Sequence, residues 1–404
     1  MKKYFIISGL DLHDNNRGTA ALGYGAFSFL KDRFNTKDLT ALNIFLYKKP
    51  WKFNFSSSKI DFLKTSSDVF RFETIYIWYY DFLIYKHLPF FSKFTKTAKV
   101  VKKVDLVAAI NGGDGFSDIY GTQTFKSRLF DINLAIKENI PLVILPQTLG
   151  PFKDAANLII AERILKYASK VYVRDLKFES HLSKIGVKFE ITKDLSFYMK
   201  PEECDIEILP NSIGINISGL CYSNRFRDLS GRFDFYPQLI DEIINYFQMK
   251  NVPIYLIAHS YNHDEPEAAN DDLQASRSVF DKLKNKHNVF LIDRDLTPPQ
   301  IKYVISRLCF FVGTRMHANF AAIFTNTPVF GLAYSYKYEG AFDYMGLRGH
   351  YASVLDIGHN DIDIIISAID KNYQKSILVL PNTGVGGAVN PPVSVRNSSD
   401  PLSP

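Results

Sequence analysis

Short apolar runs alternate with helix-like segments along most of this chain, and this alternation most constrains its fold. Continuous apolar runs of strand length, separated by helices, favour parallel strands that are buried on both faces. In the first half, strands are predicted at Tyr4–Leu10, Leu39–Tyr47, Asp105–Asn111, Pro141–Gln147, Lys170–Arg174 and, with a weaker pattern, Lys188–Thr192. Helices are predicted at Thr19–Phe34, Ser127–Lys137, Ala155–Ser169 and Lys177–Lys184.

The alternation stops at Pro201–Ser212, which contains two prolines and several acids, and then starts again. The second set of strands is predicted at Ile213–Ser218, Pro253–Ser260, Val289–Asp293, Cys309–Gly313 and Val329–Tyr334, with helices at Tyr236–Lys250, Asp271–Lys286, Pro298–Ser306 and Ala318–Phe324. Two such arrays predict an α/β protein with two Rossmann-like domains facing each other across a cleft. We place the domains at residues 1–203 and 204–380. The Pro-, Gly-, Ser- and Asn-rich tail at 381–404 is predicted to be disordered.

The composition excludes several classes of protein. A formal net charge of +6 over 404 residues is small for a dedicated nucleic-acid binder. The cysteines Cys204, Cys221 and Cys309 are scattered, which indicates a reducing compartment without a disulfide framework. The first apolar run is too short for a signal peptide. The sequence contains no run of about eighteen apolar residues, so we predict no membrane span. We therefore predict a cytoplasmic protein without a nucleic-acid partner.

The segment 72–103 differs from the rest because it is rich in aromatic residues and then in lysines. We treat it as an insertion in the first domain. The interpretation we favour is a pair of helices packed on the sheet, with the basic face in solvent. The alternative is an amphipathic segment that lies on an anionic membrane surface, which would place the protein peripherally at the inner face of the membrane.

Polar residues follow several predicted strands, where parallel sheets bind their ligands. Asn16, Arg17 and Gly18 form a turn that opens a helix, and such a turn presents backbone N–H groups to an anion. A well-capped helix would have the same pattern. Gln147 and Arg174 end two further strands, where each fits either a ligand contact or an ordinary strand end.

A glycine-rich loop, Asn111–Asp118, follows the middle strand of the first domain. Gly112 and Gly113 allow the backbone to turn tightly and to approach a ligand closely. Asp114 and Asp118 can accept hydrogen bonds from sugar hydroxyls or carry a proton. Many α/β folds have such a loop, so its position after a strand is what makes it a candidate site.

The most specific element lies in the second domain, where a strand ends at Gly313 and a helix begins near His317. Arg315, in this turn, is a planar cation that can hold a carboxylate or phosphate through two hydrogen bonds. His317 can donate to an anion or exchange a proton near neutral pH. Ser335 and Lys337 follow the next strand.

His259 ends another apolar strand and is followed by further acids and a histidine, namely His263, Asp264, Asp271 and Asp272. Histidines with carboxylates can bind a metal, but these residues match no recognised ligand spacing. We therefore predict no metal site and keep His259 as a candidate proton carrier.

Taken in order, these motifs resemble the polysaccharide pyruvyl transferase family. The matching elements are the glycine-rich loop with its acid, Pro146-Gln147-Thr148-Leu149-Gly150-Pro151, Val173-Arg174-Asp175 with Ser180, and Gly313-Thr314-Arg315-Met316-His317-Ala318. The early Asn16-Arg17-Gly18 is similar to the family's Asn-x-Gly-Asp turn, although Thr19 stands where an acid is common. The resemblance extends from Asn16 to Lys337, and Arg315 with His317 is its most distinctive part.

The resemblance implies a GT-B-like arrangement of the two domains. It also implies phosphoenolpyruvate as donor substrate, a glycan or lipid-linked saccharide as acceptor, a pyruvate ketal as product, and no cofactor. Because the donor carries a carboxylate and a phosphate, Arg315 and Arg174 are its predicted cations, and the predicted proton carriers are His317, Asp114 and His259. The remaining predicted substrate contacts are Asn16, Arg17, Gly18, Gly112, Gly113, Asp118, Gln147, Ser335 and Lys337.

Two other functions fit the same motifs. A GT-B glycosyltransferase would hold a nucleotide diphosphate with the same basic residues and use an acid late in the second domain, such as Glu339, for the ribose hydroxyls. A non-catalytic scaffold of a polysaccharide export assembly would have the fold without the chemistry. We favour the transferase over the scaffold because a scaffold has no need for Arg315 and His317 in one turn.

Overall fold

The computed structural model describes residues 3–34, 39–48, 58–64, 69–335, 338, 342 and 345–379. In this part of the chain the strands form two separate sheets, one from each half of the sequence. The predicted disordered tail at 381–404 lies outside the described residues.

The first sheet contains eight strands among the described residues, in the order β3-β4-β2-β1-β5-β6-β7-β8. The strands are β1 (Lys3–Ser8), β2 (Leu39–Tyr47), β3 (Ser58–Lys64), β4 (Val69–Trp78), β5 (Leu106–Ala109), β6 (Leu142–Gln147), β7 (Lys170–Val173) and β8 (Glu190–Ile191). Neighbouring strands pair in parallel except β3 and β4, which are antiparallel.

Within the described residues, the second sheet has six strands in the order β11-β10-β9-β12-β13-β14, and all of these pairs are parallel. The strands are β9 (Ile213–Asn216), β10 (Ile254–Leu256), β11 (Val289–Leu291), β12 (Phe310–Gly313), β13 (Val329–Ala333) and β14 (Tyr351–Ser353). The central strands β9 and β12 are buried along their whole length, as the continuous apolar runs predict.

Helices connect the strands. In the first half they are α1 (Arg17–Arg33), α2 (Tyr79–His87), α3 (Pro89–Ser92), α4 (Lys96–Val101), α5 (Thr122–Ser127), α6 (Phe130–Glu138), α7 (Ala155–Tyr167) and α8 (Glu179–Lys184). In the second half they are α9 (Gly219–Ser223), α10 (Tyr236–Met249), α11 (Asp272–Lys282), α12 (Pro298–Ser306), α13 (Met316–Phe324) and α14 (His359–Val379). Short 3₁₀ helices lie at Asn111–Gly113, Leu195–Phe197 and Arg227–Leu229.

Local sequence signals explain where several helices begin. Asn16 caps α1 because its Oδ1 accepts from the N–H of Gly18 at 3.0 Å. Asp154 caps α7 in the same way through Ala156, and Asp271 caps α11 through Gln274. These caps satisfy N–H groups that the first helical turn leaves without partners.

Each sheet has an apolar cluster on both faces. In β5, Val107 and Ala109 point to one cluster and Leu106 and Ala108 to the other, because successive strand residues face opposite sides. The second sheet follows the same rule, with Val312 on one face and Phe311 on the other. Both sheets are therefore covered by helices on both sides, as expected for doubly wound domains.

The chain that leaves the first sheet packs on the second half of the molecule. Lys302, in α12, is 2% exposed, and its Nζ donates to the carbonyl oxygens of Ser196 (3.0 Å), Phe197 (3.5 Å) and Met199 (2.6 Å). A few residues later, the N–H of Glu202 donates to the carbonyl of Pro299, the second residue of α12. This connecting segment therefore docks on α12 through backbone groups.

The structure differs from the predictions in several places, among them the short helices α5 and α9, which were not predicted. Residues 72–78 belong to β4, so a helix pair is wrong for this part of the segment 72–103, whereas 79–101 contains the helices α2, α3 and α4. The prediction also missed the antiparallel strand β3 at the sheet edge. Near the C-terminus it missed β14 and the 21-residue helix α14. Edge strands carry weak apolar periodicity, which is why the pattern did not identify them.

Candidate active site

The two sheets meet at the loops that follow β1 and β10. The N–H of Arg17 donates to the carbonyl of His259 at 3.0 Å, and the N–H of Tyr261 donates to the carbonyl of Asn15 at 3.0 Å. Asn16 and Ser260 form an isolated antiparallel bridge between them. The carboxyl ends of both sheets thus lie around one cleft, where ligands of such folds bind.

On the second-sheet side, the carboxylate of Asp272 connects three strand-end loops. Asp272 is fully buried and is the first residue of α11. Its donors are the N–H groups of Gly219 (2.9 Å), His259 (3.2 Å) and Ser260 (3.0 Å), the amide of Asn216 (3.2 Å), and Nη2 of Arg315 (2.7 Å). These donors follow β9, β10 and β12, so a single charge fixes the relative positions of the three loops.

Arg315 is held firmly by this carboxylate. Its Nε and Nη2 donate to Asp272 at 3.0 and 2.7 Å, and Nη2 also donates to Oδ1 of Asn270 at 2.8 Å. The side chain is 10% exposed and that of Asp272 is 0% exposed. Burial acts to lower the pKa of the Arg315 guanidinium, but the charge of Asp272 outweighs it and holds the pKa above its ordinary value. Arg315 is therefore a fixed cation beneath the turn.

His317 lies in the first turn of α13, at the contact between the two halves. A Cβ atom added at Gly18 would lie 2.5 Å from its Nδ1, so the imidazole packs directly on the first turn of α1. Its ring also meets Phe320 edge to face, with the centroids 5.6 Å apart. The side chain is half-buried. In the part of the chain described, no side chain caps α13, whose first backbone bond runs from Asn319 to Arg315.

The start of α13 is therefore electropositive. The N–H groups of the first helical turn have no partner within the helix, and the aligned peptide dipoles add partial positive charge there. Such a helix start binds phosphates and carboxylates in many proteins. Arg315, immediately before α13, lies next to it as part of its pair with Asp272.

His259 is enclosed by this group of cations. It is 4% exposed and its carbonyl is bonded to Arg17. Burial lowers its pKa well below the ordinary value, and the nearby His317, Arg315 and Arg17 lower it further. The His259 ring is consequently neutral near pH 7.

On the first-sheet side, Arg174 connects the loops after β6 and β7. Its Nε donates to Oγ1 of Thr148 at 3.0 Å, and its Nη1 donates to Oδ2 of Asp194 at 2.6 Å. Burial acts to raise the pKa of Asp194, but the charges of Arg174 and His317 and the hydrogen bonds from Ser196 outweigh it and lower the pKa. The carboxylate of Asp194 is thus the electrostatic link between Arg174 and His317.

The glycine-rich loop lies against the same guanidinium. Gly112 and Gly113 have φ values of 68° and 85°, a region that other residues rarely adopt. A Cβ at Gly113 would be 3.1 Å from Nη1 of Arg174. The carbonyl of Gly113 accepts from the N–H of Thr148 at 2.9 Å. The two glycines therefore let the backbone pass close to the cation of the site.

Asp114 follows these glycines and accepts a hydrogen bond from the hydroxyl of Tyr120 at 2.9 Å. Burial raises the pKa of Tyr120, and the charge of Asp114 raises it further. Tyr334, which follows β13 in the second sheet, is close enough to add to this effect. Asp114 and Tyr120 are thus joined by a hydrogen bond on the first-sheet side.

Comparison with known families identifies the family to which the chain belongs. A family model described as polysaccharide pyruvyl transferase matches residues 16–336. The chain belongs to this family. The match covers most of the chain, from the start of α1 to the residues just after β13, and it confirms the resemblance found in the sequence. No curated protein matches the chain.

Solved structures confirm the fold of this pyruvyl transferase family member. One similar structure is a putative UDP-N-acetylglucosamine 2-epimerase from Listeria monocytogenes, with a TM-score of 0.52, 10% identity, and coverage of 94% of this chain and 91% of that chain. Another is the MnaA–UDP complex from S. aureus, with a TM-score of 0.50, 12% identity, and coverage of 93% and 91%. At such identities the likeness shows the fold alone, namely two Rossmann-like domains in a GT-B-like arrangement.

The structure brings most of the predicted site residues of this pyruvyl transferase family member to one cleft. The residues at its walls are Gly18, Gly112, Gly113, Asp114, Arg174, His259, Arg315 and His317. Asn16 and Arg17 also lie here, but several of their contacts join the two halves. Arg17 donates to Asp295 at 2.6 Å and to the carbonyls of Leu296 and Asp14, and it stacks on Tyr261 at 4.5 Å.

The four other predicted contacts have structural partners or lie outside the described residues. Asp118 accepts from the N–H groups of Lys153 and Asp154 and from the amide of Asn157, so it holds the start of α7. Gln147 is fully buried and donates to the carbonyl of Ala109 in β5. Ser335 is half-buried after β13, and its carbonyl accepts from Tyr338. Lys337 lies outside the described residues, as does Glu339.

The sequence prediction gave no site role to Asp272 or Tyr120, and it noted Asp194-Leu195-Ser196 near the end of the first domain without including Asp194 in the predicted site. Asp272 occurs in the sequence only as one of several acids after His259, and it was considered as a metal ligand. Among the described residues of this family member, no three His, Cys, Asp or Glu side chains come together as a metal site requires. The sequence does contain one local signal for Asp194, because Asp-x-Ser is a capping pattern and predicts that the Asp194 carboxylate caps a short helix.

The described helices do not meet the requirements for crossing a membrane. Within these residues, none is both long enough and apolar enough to do so.

Proposed function

We propose that this protein transfers the pyruvyl group of phosphoenolpyruvate to two hydroxyls of one sugar in a cell-surface polysaccharide or its lipid-linked precursor. Its membership of the pyruvyl transferase family supports a transferase acting on a polysaccharide. The observation that carries the proposal is the start of α13, which no described side chain caps and which presents His317 to the cleft.

The charges of the cleft support an anionic donor. Arg315 and Arg174 are each paired with one carboxylate, so these pairs are close to neutral. The N-terminus of α13 and any proton on His317 then supply the excess positive charge. We assign the phosphate of the donor to this helix start and the donor carboxylate to the side of Arg174, where the Gly112–Gly113 backbone allows close approach.

The reaction that we propose balances as follows. The methylene carbon of phosphoenolpyruvate gains a proton and becomes a methyl group, while the bond between C2 and the phosphate oxygen breaks. C2 forms two new bonds to sugar oxygens, and the two hydroxyl protons end on the methyl carbon and on the released phosphate. We assign proton transfer to His317 and Asp114, which can each exchange a proton at the cleft. His259, neutral and buried, then serves as a hydrogen-bonding group.

Thermal unfolding with phosphoenolpyruvate, with UDP and without ligand tests the donor. A ligand that binds only the native state at a hundredfold excess over its Kd raises stability by about 2.7 kcal/mol. We expect phosphoenolpyruvate to raise the Tm of the wild type and of His287→Asn, an exposed histidine away from the cleft, but not of His317→Asn. Stabilisation by UDP alone would favour a nucleotide-sugar glycosyltransferase, and no response to either ligand would contradict the proposed donor.

A further inference from the structure

Exposed apolar side chains are concentrated in one short segment of the first half. Of the 21 large apolar side chains that are exposed in the described part of the chain, seven fall between residues 78 and 94. They are Trp78 (43%), Tyr80 (53%), Ile84 (38%), Leu88 (49%), Phe90 (73%), Phe91 (54%) and Phe94 (66%). Scattered exposed apolar residues are normal, but a cluster of aromatic residues marks an interaction surface. We call these seven side chains the aromatic surface.

The aromatic surface is carried by an excursion that starts and ends at the carboxyl edge of the first sheet. β4 ends at Trp78, where α2 begins, and Nζ of Lys96 at the start of α4 donates back to the carbonyl of Tyr76 at 2.8 Å. The carboxylate of Asp81 in α2 accepts from the N–H groups of Lys96 and Thr97, both at 2.9 Å. The base of the excursion is therefore closed by side-chain contacts.

The opposite face of the excursion is anchored on α6. Tyr85 is 3% exposed and its hydroxyl donates to Glu138 at 2.5 Å, while Nζ of Lys137 donates to the carbonyl of Tyr85 at 2.8 Å. Phe82 packs against Phe130 with the ring centroids 5.3 Å apart. The helix α2 therefore has a buried face, and the aromatic surface is what the folded excursion presents to its surroundings.

The charge around the aromatic surface is strongly positive. Residues 78–103 contain six lysines and one aspartate, and that aspartate, Asp81, is turned inward to α4. Nζ of Lys93 lies 5.7 Å from the ring centroid of Phe90 and 5.1 Å from that of Phe94. Among the exposed lysines, Lys86 and Lys93 lie between the aromatic side chains, whereas Lys99, Lys102 and Lys103 follow on the way to β5, which begins at the opposite edge of the sheet.

We propose that the aromatic surface inserts into the interface of an anionic lipid bilayer. Large apolar and aromatic side chains beside lysines suit the boundary between acyl chains and headgroups, where the rings are buried and the ammonium groups meet lipid phosphates. Each lysine near an anionic surface adds about 1 kcal/mol of attraction. A protein partner would have to match both features, whereas a bilayer supplies both along its whole surface.

This contact gives the cleft a position relative to the membrane. β4 is parallel to β2, which is parallel to β1, so Trp78 lies at the same edge of the sheet as the loop that leads into α1. An excursion bound to the bilayer from this edge would bring a lipid-linked sugar near the cleft. The membrane contact itself does not depend on the proposed reaction, because vesicle binding is measured without donor or acceptor.

Flotation of the full chain with lipid vesicles tests the proposal. We expect the wild type to float with vesicles of phosphatidylcholine and phosphatidylglycerol, and to float less with phosphatidylcholine alone or at high salt. The variant Phe90→Ser/Phe94→Ser should lose about tenfold or more of the vesicle affinity. The matched control is Ile159→Ser/Met249→Ser, which removes two equally exposed apolar side chains far along the chain, on α7 and α10, and should float like the wild type.

Three results would overturn the proposal. The first is a wild type that does not float with either vesicle, and the second is a Phe90→Ser/Phe94→Ser variant that floats as well as its control. The third is a wild-type dimer in light scattering that Phe90→Ser/Phe94→Ser converts to a monomer, with no flotation of either protein, because the aromatic surface would then bind a second copy. Unfolding temperatures of variant and control would show that both are folded. A failed donor test with intact flotation would contradict the reaction and leave the membrane contact standing.

Discussion

The two carboxyl edges that face each other across the cleft are held by different physical means. On the second-sheet side, the buried carboxylate of Asp272 joins the loops after β9, β10 and β12. On the first-sheet side, the loops after β5 and β6 are joined by a backbone bond from Thr148 to Gly113, and Arg174 adds the loop after β7. One wall of the cleft is joined through a single central carboxylate, and the other combines a backbone hydrogen bond with the buried pair of Arg174 and Asp194.

This difference bears on how each wall of the cleft can approach a ligand. A buried ion pair with additional donors has little freedom to rearrange, because a broken pair leaves an uncompensated charge. The glycine-rich loop can approach a ligand closely because Gly112 and Gly113 carry no side chain. The second-sheet wall thus carries the start of α13, and the first-sheet wall brings the backbone of Gly113 close to Arg174.

The largest expected effect comes from removing the central charge. Asp272→Ala leaves Arg315 buried and unpaired, so it should lower the free energy of unfolding by about 3–5 kcal/mol in urea denaturation. Asp295→Ala is the matched control, because it removes the partner of Arg17 but the side chain of Asp295 is 62% exposed. That variant should lose at most about 1 kcal/mol. Equal losses of unfolding free energy in the two variants would mean that the buried carboxylate of Asp272 contributes no more than an exposed one.

A second prediction sharpens the role of charge on the first-sheet wall through pH. The folded pKa of Asp194 is lowered, so its stabilising contribution is complete above the unfolded pKa of about 3.9 and is lost as the pH falls through the folded value. Asp194→Asn should cost about 3 kcal/mol at neutral pH, toward the lower end for a broken buried pair because Asn keeps one acceptor oxygen.

The measurement is urea denaturation of both proteins from pH 6 downward. The difference in unfolding free energy between wild type and Asp194→Asn should stay constant until the pH nears about 4 and then shrink. A difference that is independent of pH through this window would mean that the ionised carboxylate contributes nothing beyond its hydrogen bonds.

The smallest expected effect on stability lies where the two walls touch. Gly18→Ala should cost about 1–3 kcal/mol, because the added methyl group would force the His317 ring from its place. If His317 binds the donor, the Tm increase caused by phosphoenolpyruvate should fall more than this loss of stability suggests. Gly358→Ala is the control, since the nearest atom to its added methyl lies 3.7 Å away. Unchanged donor binding in Gly18→Ala would show that the contact between Gly18 and His317 is not needed for donor binding.

Much of the fold could be predicted because its signals are local. Continuous apolar runs such as that of β12 mark strands buried on both faces, and capping residues such as Asn16 mark helix starts. The edge strands β3 and β14 were missed because their partial exposure gives no continuous apolar run. The segment 72–103 was misjudged at its start, since the aromatic residues of β4 fit a strand and a helix almost equally well.

The sequence by itself determined the family, the two α/β arrays and the strand-end positions of Arg174, Arg315 and His317. Only the tertiary structure decided which charges these residues meet. Arg315 and Asp272 are 43 residues apart in the chain, and Arg174 and Asp194 are 20 apart. Strand ends are encoded by local periodicity, whereas these pairs depend on the order of strands in each sheet, which brings distant loops together at one edge.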